Sequence, residues 1–212
     1  MKPRTFLQLF LASILIVCFQ PFLATAQDAS SGNTALDKRV KAFLDNRQGT
    51  WHDMNVPASD GKLLYDIIVE NGYTRALEIG TSTGHSGIWI AWALSKTGGK
   101  LITIEINESR HREALANFEK AGLADYIDAR LADAHELAKE LEGPFDFVFS
   151  DADKGWYKQY FVDLSPKLEV GGCFTAHNIP APGSRRRGYG MSGTLEFINY
   201  VKGLDNYKTT VD

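Results

Sequence analysis

From Arg75 onward, short apolar runs alternate with stretches of helical period, and no other feature of the chain limits its fold so strongly. The runs are Arg75 to Ile79, Leu101 to Ile104, Tyr126 to Leu131, Phe145 to Phe149, Val170 to Ala176 and Tyr207 to Val211. Between them lie helical segments at Gly84 to Ser95, Ser109 to Lys120, Ala134 to Leu141, Tyr157 to Leu168 and Thr194 to Lys202. The runs are mostly apolar rather than alternating, as in strands buried on both faces. Strand and helix in turn predict an α/β fold: a doubly wound, mostly parallel sheet with right-handed crossovers. Two helices are expected upstream. One carries Leu36, Val40, Phe43 and Leu44; the other carries Leu63, Leu64, Ile67 and Ile68 behind a cap at Ser59 and Asp60.

With 212 residues and 44% of them hydrophobic, the chain can bury one sizeable core. The first 26 residues stand apart from it. Lys2 and Arg4 precede an apolar run from Phe6 to Phe19, and Ala24-Thr25-Ala26 follows Pro21. That order predicts a secretory leader, residues 1–26, cleaved before Gln27, and an exported protein. The run is short of the ~20 apolar residues of a spanning helix, so a membrane is involved only if the leader stays on as an anchor. Residues 27–34 read as a loose tail and residues 35–212 as the domain. Loss of Lys2 and Arg4 takes the formal net charge from −3 to −5. Arg185-Arg186-Arg187 is the only basic cluster, so no nucleic-acid partner is expected. Cys173 is the single cysteine left, and no disulfide can form within the mature chain.

Ligands of such sheets bind beyond the carboxyl ends of the strands. Glu78, Glu105, Asp151 and His177 each stand at or just past a strand end and are expected to converge on one rim. Leu77 to Ser86, "LEIGTSTGHS", is a strand, a turn with Gly80 and Gly84, and a helix start. Such a turn lets backbone approach a ligand, and the helix start can hold an anion. Glu105 ends the next strand, 25 residues after Gly80, where an acid can accept both hydroxyls of a ribose. The glycine spacing departs from the G-x-G-x-x-G of dinucleotide enzymes. Glu78 ahead of the turn, with Ser82 and Ser86 in and after it, suits a cofactor bearing an ammonium, a carboxylate and a ribose, as S-adenosylmethionine (SAM) does. In "LADAH", Asp133 beside Ala134 either accepts from an adenine amino group or caps a helix. The stretch Ser150 to Gly155, "SDADKG", places two carboxylates and an ammonium at the mouth of a buried strand.

These motifs occur together and in order: "MNVPASDGK" (Met54–Lys62), "LEIGTSTGHS", "TIEIN" (Thr103–Asn107), "SDADKGWY" (Ser150–Tyr157) and "HN" (His177–Asn178). Between about Trp51 and Gly203 the chain resembles the cation-dependent O-methyltransferases of the catechol and caffeoyl-CoA type. The resemblance implies the class I SAM-dependent fold and methyl transfer to a hydroxyl of a small aromatic diol, with a divalent cation assisting. It implies that Met54, Val56, Gly80, Gly84 and Ser86 hold the cofactor and Glu105 its ribose. Asp151 would be a metal ligand beside the cofactor, Asn178 a second ligand, and Lys154 the base. A cation bound by both vicinal oxygens would lower the acceptor's pKa. Asp153 is expected to face away as a solvated or capping acid. Trp51, His52 and Trp156 are candidate walls for a flat ring. The oligomeric state stays open between monomer and homodimer.

Three departures stand out. His177 occupies a position where the family has Asp; it could ligate a softer ion such as manganese instead of magnesium, weaken the metal site, or pack. The family's last, antiparallel strand would follow Asp212, so Tyr207 to Val211 must find another partner. A leader also sends the protein away from the cytosol, where SAM is made. The rival readings are an exported SAM-fold binding protein without catalysis and, less favoured by glycine spacing, a nucleotide-linked oxidoreductase.

Overall fold

The structure, a computed structural model, describes residues 6–9, 34–180 and 191–211. Strand β1 (Phe6–Leu9) is followed by helices α1 (Ala35–Asn46) and α2 (Ala58–Asn71). Then come β2 (Arg75–Ile79), α3 (His85–Thr97), β3 (Lys100–Glu105), α4 (Glu108–Ala121), β4 (Ile127–Leu131) and α5 (Ala134–Glu140). The chain continues through β5 (Phe145–Ser150), α6 (Tyr157–Leu164), β6 (Leu168–Ala176), α7 (Met191–Lys202) and β7 (Lys208–Val211). The strands form one sheet in the order β4-β3-β2-β5-β6-β1-β7, and every pair is parallel. The order reverses between β2 and β5, the point at which open α/β sheets form a crevice.

Both faces of the sheet are covered. Leu77, Ile79, Val148 and Phe174 pack with Phe161 and Leu164 of α6 and Phe197 of α7. Ala76, Phe147, Phe149 and Cys173 pack on Leu64, Ile67 and Ile68 of α2 and Ile90 of α3. Helix α1 is held by Asp37, which completes a capping box with Thr34 and accepts from Trp92 Nε1 at 2.6 Å and from Lys96.

Local order departs from expectation at three places. Helix α6 stops at Leu164, and Ser165–Lys167 forms a 3-10 turn, because Pro166 has no N–H to donate and its ring crowds the preceding turn. Ser59 and Asp60 do not cap α2: Pro57 takes the cap position, and both residues lie in the first turn. Within the segment expected to be a leader, Phe6–Leu9 lies between β6 and β7, pairing Phe6 with Cys173 and Lys208 and Leu9 with Ala176 and Val211. A parallel strand thus fills the place where the family's antiparallel strand was expected, and it supplies the partner that β7 needs.

Glu78 is the exception among the buried apolar residues of β2. It is fully buried on the face toward α3, and its Oε2 accepts from Thr103 Oγ1 at 2.6 Å. Among the described residues its Oε1 has no hydrogen-bond partner. Burial is the main influence and pushes the carboxyl up to about 7; the Ser86 and Thr103 hydroxyls oppose it, and the Asp151 and Glu105 charges add to it.

Two outcomes are expected. In protein lacking residues 1–26, β7 loses its ladder. Hydrogen exchange should show lost amide protection at Lys208–Val211 with β2 and β5 unchanged, and full protection of β7 would contradict the pairing. The second concerns Glu78. Its folded state keeps a proton that the unfolded chain has lost, so its contribution weakens as pH rises from 4.5 through 7. Relative to wild type, Glu78→Gln should gain roughly 3 kcal/mol across that window in denaturant melts; parallel pH profiles would refute it.

Candidate active site

Strand register builds the site. Ile79 pairs with Ile104 and with Ser150, and Ser150 pairs with Ala176. The next residues in the four strands, Gly80, Glu105, Asp151 and His177, therefore emerge along one rim. Backbone bonds lock the row: Gly80 N to Ile104 O at 3.0 Å, Asp151 N to Ile79 O at 2.9 Å and His177 N to Ser150 O at 3.1 Å.

Above that rim is a cleft of about 390 Å³. Its walls include Met54, Gly80, Ser82, Glu105, Asp133, Ala134, Asp151 and Lys154. The turn after β2 is shaped by left-handed backbone at Gly80 (φ +98°) and Gly84 (φ +96°). A Cβ on Gly80 would come within 2.8 Å of Ala152 Cβ, and one on Gly84 within 2.7 Å of the Phe118 ring. Glu105 accepts from Ser82 N at 2.8 Å and from Asn107 N at 2.9 Å, and Arg110 Nε stands 3.7 Å away. These bonds fix both carboxylate oxygens while leaving a lone pair on each. The loop before α2 is tied to the same turn through Ser82 Oγ to Asp53 O at 3.0 Å and Asn55 Nδ2 to Thr83 Oγ1 at 2.8 Å.

Next to the cleft, four side chains form a closed charge cluster. Asp151 Oδ1 lies 3.1 Å from Lys154 Nζ and 3.3 Å from His177 Nδ1. His177 Nε2 lies 2.9 Å from Asp60 Oδ2. Lys154 also reaches Tyr157 Oη at 3.3 Å, and that buried phenol donates to His177 O at 3.0 Å. Burial acts to lower the His177 pKa, but hydrogen bonds to Asp151 and Asp60, with their charges, outweigh it and push it up to about 9. Burial acts to raise Asp60; the His177 and Ser59 hydrogen bonds overcome it and hold the carboxyl below its ordinary value.

The cleft gathers most of the expected cofactor residues but not all. Val56 is buried beside a different cleft, Glu78 lies beneath the turn, and Gly84 and Ser86 belong to the start of α3. Asp133 lines the cleft and also caps α5, accepting from His135 N at 2.9 Å. Asp153 is exposed at the edge of the cleft with left-handed backbone (φ +44°); its Oδ1 accepts from Gly155 N at 3.3 Å, as a solvated or capping acid would, and His135 Nε2 stands 3.0 Å from its Oδ2. Trp51 and His52 line a second cleft of about 860 Å³ with Trp89 and Trp92; of the cleft residues, only Met54 borders both. Trp156 stacks on His135 with ring centroids 3.8 Å apart. None of the three aromatics walls the smaller cleft. Arg185-Arg186-Arg187 lies outside the described residues.

Asn178 is exposed at φ +55°, just past the cluster. Among the described residues no group of three or more His, Cys, Asp and Glu side chains is arranged to hold a metal ion. Sequence reasoning missed Asp60, Arg110, His135 and Tyr157. Asp60 lay inside a motif already singled out, and a carboxylate next to a helix start was read as a cap. Tyr157 follows the DADKGW stretch directly and carried no signal of its own.

Comparison with known proteins agrees with this geometry. Residues 27–184 match the family model described as O-methyltransferase. A caffeoyl-CoA O-methyltransferase 1 of Eucalyptus globulus is 34% identical over 139 residues, covering 63% of this chain and 56% of that protein. A catechol O-methyltransferase of Niastella koreensis is 38% identical over 130 residues, covering 59% of this chain and 58% of its own. The chain thus spans little more than half the length of these relatives. Among solved structures, a Bacillus cereus O-methyltransferase in complex with SAH superposes with a TM-score of 0.69 at 28% identity, covering 80% of each chain. TomG of Streptomyces achromogenes, an O-methyltransferase in complex with SAM, gives 0.67 at 30% identity, covering 82% of this chain and 80% of its own. The mostly parallel sheet, the glycine turn under a cleft and the family match over residues 27–184 together place this chain in the O-methyltransferase family, with the caffeoyl-CoA and catechol enzymes.

Proposed function

We propose that the chain moves the methyl group of SAM to a hydroxyl of a small, catechol-like acceptor. One observation carries this reading: the residues suited to the cofactor and the pair suited to the chemistry, Asp151 and Lys154, wall the same cleft. Gly80 lets backbone approach the methionine part, and Glu105 faces the cleft with lone pairs free for two ribose hydroxyls. The Oε1 of Glu78, without a hydrogen-bond partner among the described residues, lies under the turn, where a nearby ammonium would favour its charged form.

In the transfer step, the acceptor's hydroxyl proton passes to Lys154 in its free-amine form. The oxygen–carbon bond forms as the sulfur–carbon bond of the sulfonium breaks, and S-adenosylhomocysteine (SAH) leaves. Asp151 and Tyr157 hold the Lys154 amine in place, at 3.1 and 3.3 Å. Holding donor and acceptor in one cleft can remove ~7–11 kcal/mol of the barrier.

The divalent cation that the resemblance implies would be held by Asp151 Oδ2 and the exposed Asn178, with water and the acceptor's oxygens completing its shell, and would lower the acceptor's pKa. Asp151 Oδ1 is already shared by Lys154 and His177, and each ring nitrogen of His177 faces a carboxylate. The step above is drawn on the chain's own side chains.

Residues 1–26 are read as an export leader whose removal takes β1 away and leaves β7 without its ladder; the protein isolated from its own cells should begin at Gln27, and a start at Met1 would refute that reading. Calorimetric titration should show SAM and SAH binding and no binding of NAD. Glu105→Gln should weaken SAH binding roughly ten- to hundredfold. Lys154→Met should lower the rate of catechol methylation by about 10²–10⁴-fold with SAH affinity unchanged. Unaltered turnover in that variant would remove Lys154 from the chemistry.

A further inference from the structure

We propose that the larger cleft is a second binding site, separate from the one in which methyl transfer is placed, and that it takes a flat aromatic cation. Nothing in this depends on the transfer step; the walls and charges of the larger cleft carry it.

The chain has four tryptophans, and three of them, Trp51, Trp89 and Trp92, line this cleft of about 860 Å³ together with Tyr65. Such a volume suits a small molecule of several rings. The Tyr65 ring centroid lies 4.9 Å from that of Trp92 and 6.5 Å from that of Trp89, and the two tryptophans are 5.6 Å apart. These rings touch one another, so they form a continuous wall and not a cage around a gap. Each is half-buried. Trp89 Nε1 donates to His85 Nε2 at 3.1 Å and Trp92 Nε1 to Asp37 Oδ1 at 2.6 Å. With both donors engaged inside the protein, the two indoles have carbon and π-electron surface left to offer. A flat aromatic ligand can lie on such a wall.

Charge narrows the class. Lys41, Asp45, Asp53, Lys62 and Asp66 line the cleft, and Lys62 is paired with Asp66 at 2.5 Å. Among the described residues no ion pair engages Asp45, Asp53 or Lys41, which leaves one carboxylate in excess. His85 adds no positive charge, because its Nδ1 donates to Val56 O at 2.8 Å and its Nε2 accepts from Trp89. His52 faces Glu113 at 3.5 Å. A cation already lies against one ring of this wall: the Arg47 guanidinium stands 4.8 Å over Trp51. Ring faces and surplus carboxylate favour the same ligand, a planar ring system bearing a positive charge.

The site is set apart from the reacting groups. Asp151 and Lys154 line the smaller cleft alone, and Met54 is the one wall that borders both. The loop that carries Met54 is pinned between them, with Asn55 Oδ1 accepting from His85 N at 3.3 Å and Asn55 Nδ2 donating to Thr83 Oγ1 at 2.8 Å. The two clefts can therefore be filled at once.

The test titrates proflavine, a flat aromatic cation, into the full chain saturated with SAH, read by dye fluorescence and by ¹⁵N–¹H spectra of the indole groups. One proflavine should bind per chain with SAH still in place. The indole signals of Trp51, Trp89 and Trp92 should shift, and that of Trp156 should not. Anthracene-2-sulfonate, a flat aromatic anion, should bind roughly tenfold more weakly. Asp45→Asn combined with Asp53→Asn should weaken proflavine binding by about fivefold. SAH binding confirms that this variant folds; if it does not fold, the wild-type spectra decide alone. Displacement of proflavine by SAH, a shift confined to Trp156, equal binding of the anion, or no binding at all would overturn the proposal. A dimer that forms and excludes proflavine would assign the cleft to a second copy of the chain and overturn it too. If SAH itself fails to bind, the functional reading falls, and the same titration of the free chain decides this proposal separately.

Discussion

Everything at the site depends on the register of four parallel strands. Ile79, Ile104, Ser150 and Ala176 lie in one row, and this row delivers a glycine, two carboxylates and an imidazole to one rim. A one-residue slip in β5 would turn Asp151 toward the other face of the sheet and put Ser150 in its place. The register is held because both faces are buried: Phe147 and Phe149 are committed to α2 and α3, and Val148 to α6 and α7. The apolar core therefore sets the geometry of the chemistry.

Charge is arranged with equal economy around that rim. Glu78 sits beneath it, buried, with its carboxyl raised to about 7. Glu105 is restrained by two backbone amides, and Asp151 by the Lys154 amine and the His177 ring. Each carboxylate has a different role because each has different neighbours. Glu78 accepts from Thr103, Glu105 borders the smaller cleft, and Asp151 accepts from Lys154.

Much of the fold could be read from the residues, because strands buried on both faces leave continuous apolar runs. β2 is bounded at Arg75 and Ile79 in both the sequence reading and the structure. The rim residues were legible for the same reason: a charge directly after such a run has only the carboxyl end of the sheet to occupy. The rest was not legible where local pattern and tertiary context disagree. Asp60 has the look of a helix cap, and only the fold reveals that its partner is His177, 117 positions away. Trp51 and His52 read as walls of an acceptor pocket; aromatic character alone does not say which of two clefts a ring will line. The parallel strand at Phe6–Leu9 was hidden because a leader and a short buried strand have the same apolar composition.

The account stands or falls on where the cofactor lies. A crystal structure of the full chain with SAH measures this directly. The account predicts the ribose hydroxyls on Glu105, the backbone of Gly80 against the methionine part, and the sulfur turned toward Lys154 within the smaller cleft. SAH seated in the larger cleft beside Trp51 and Trp89, or lying in the smaller one with its sulfur facing away from Lys154, would contradict it.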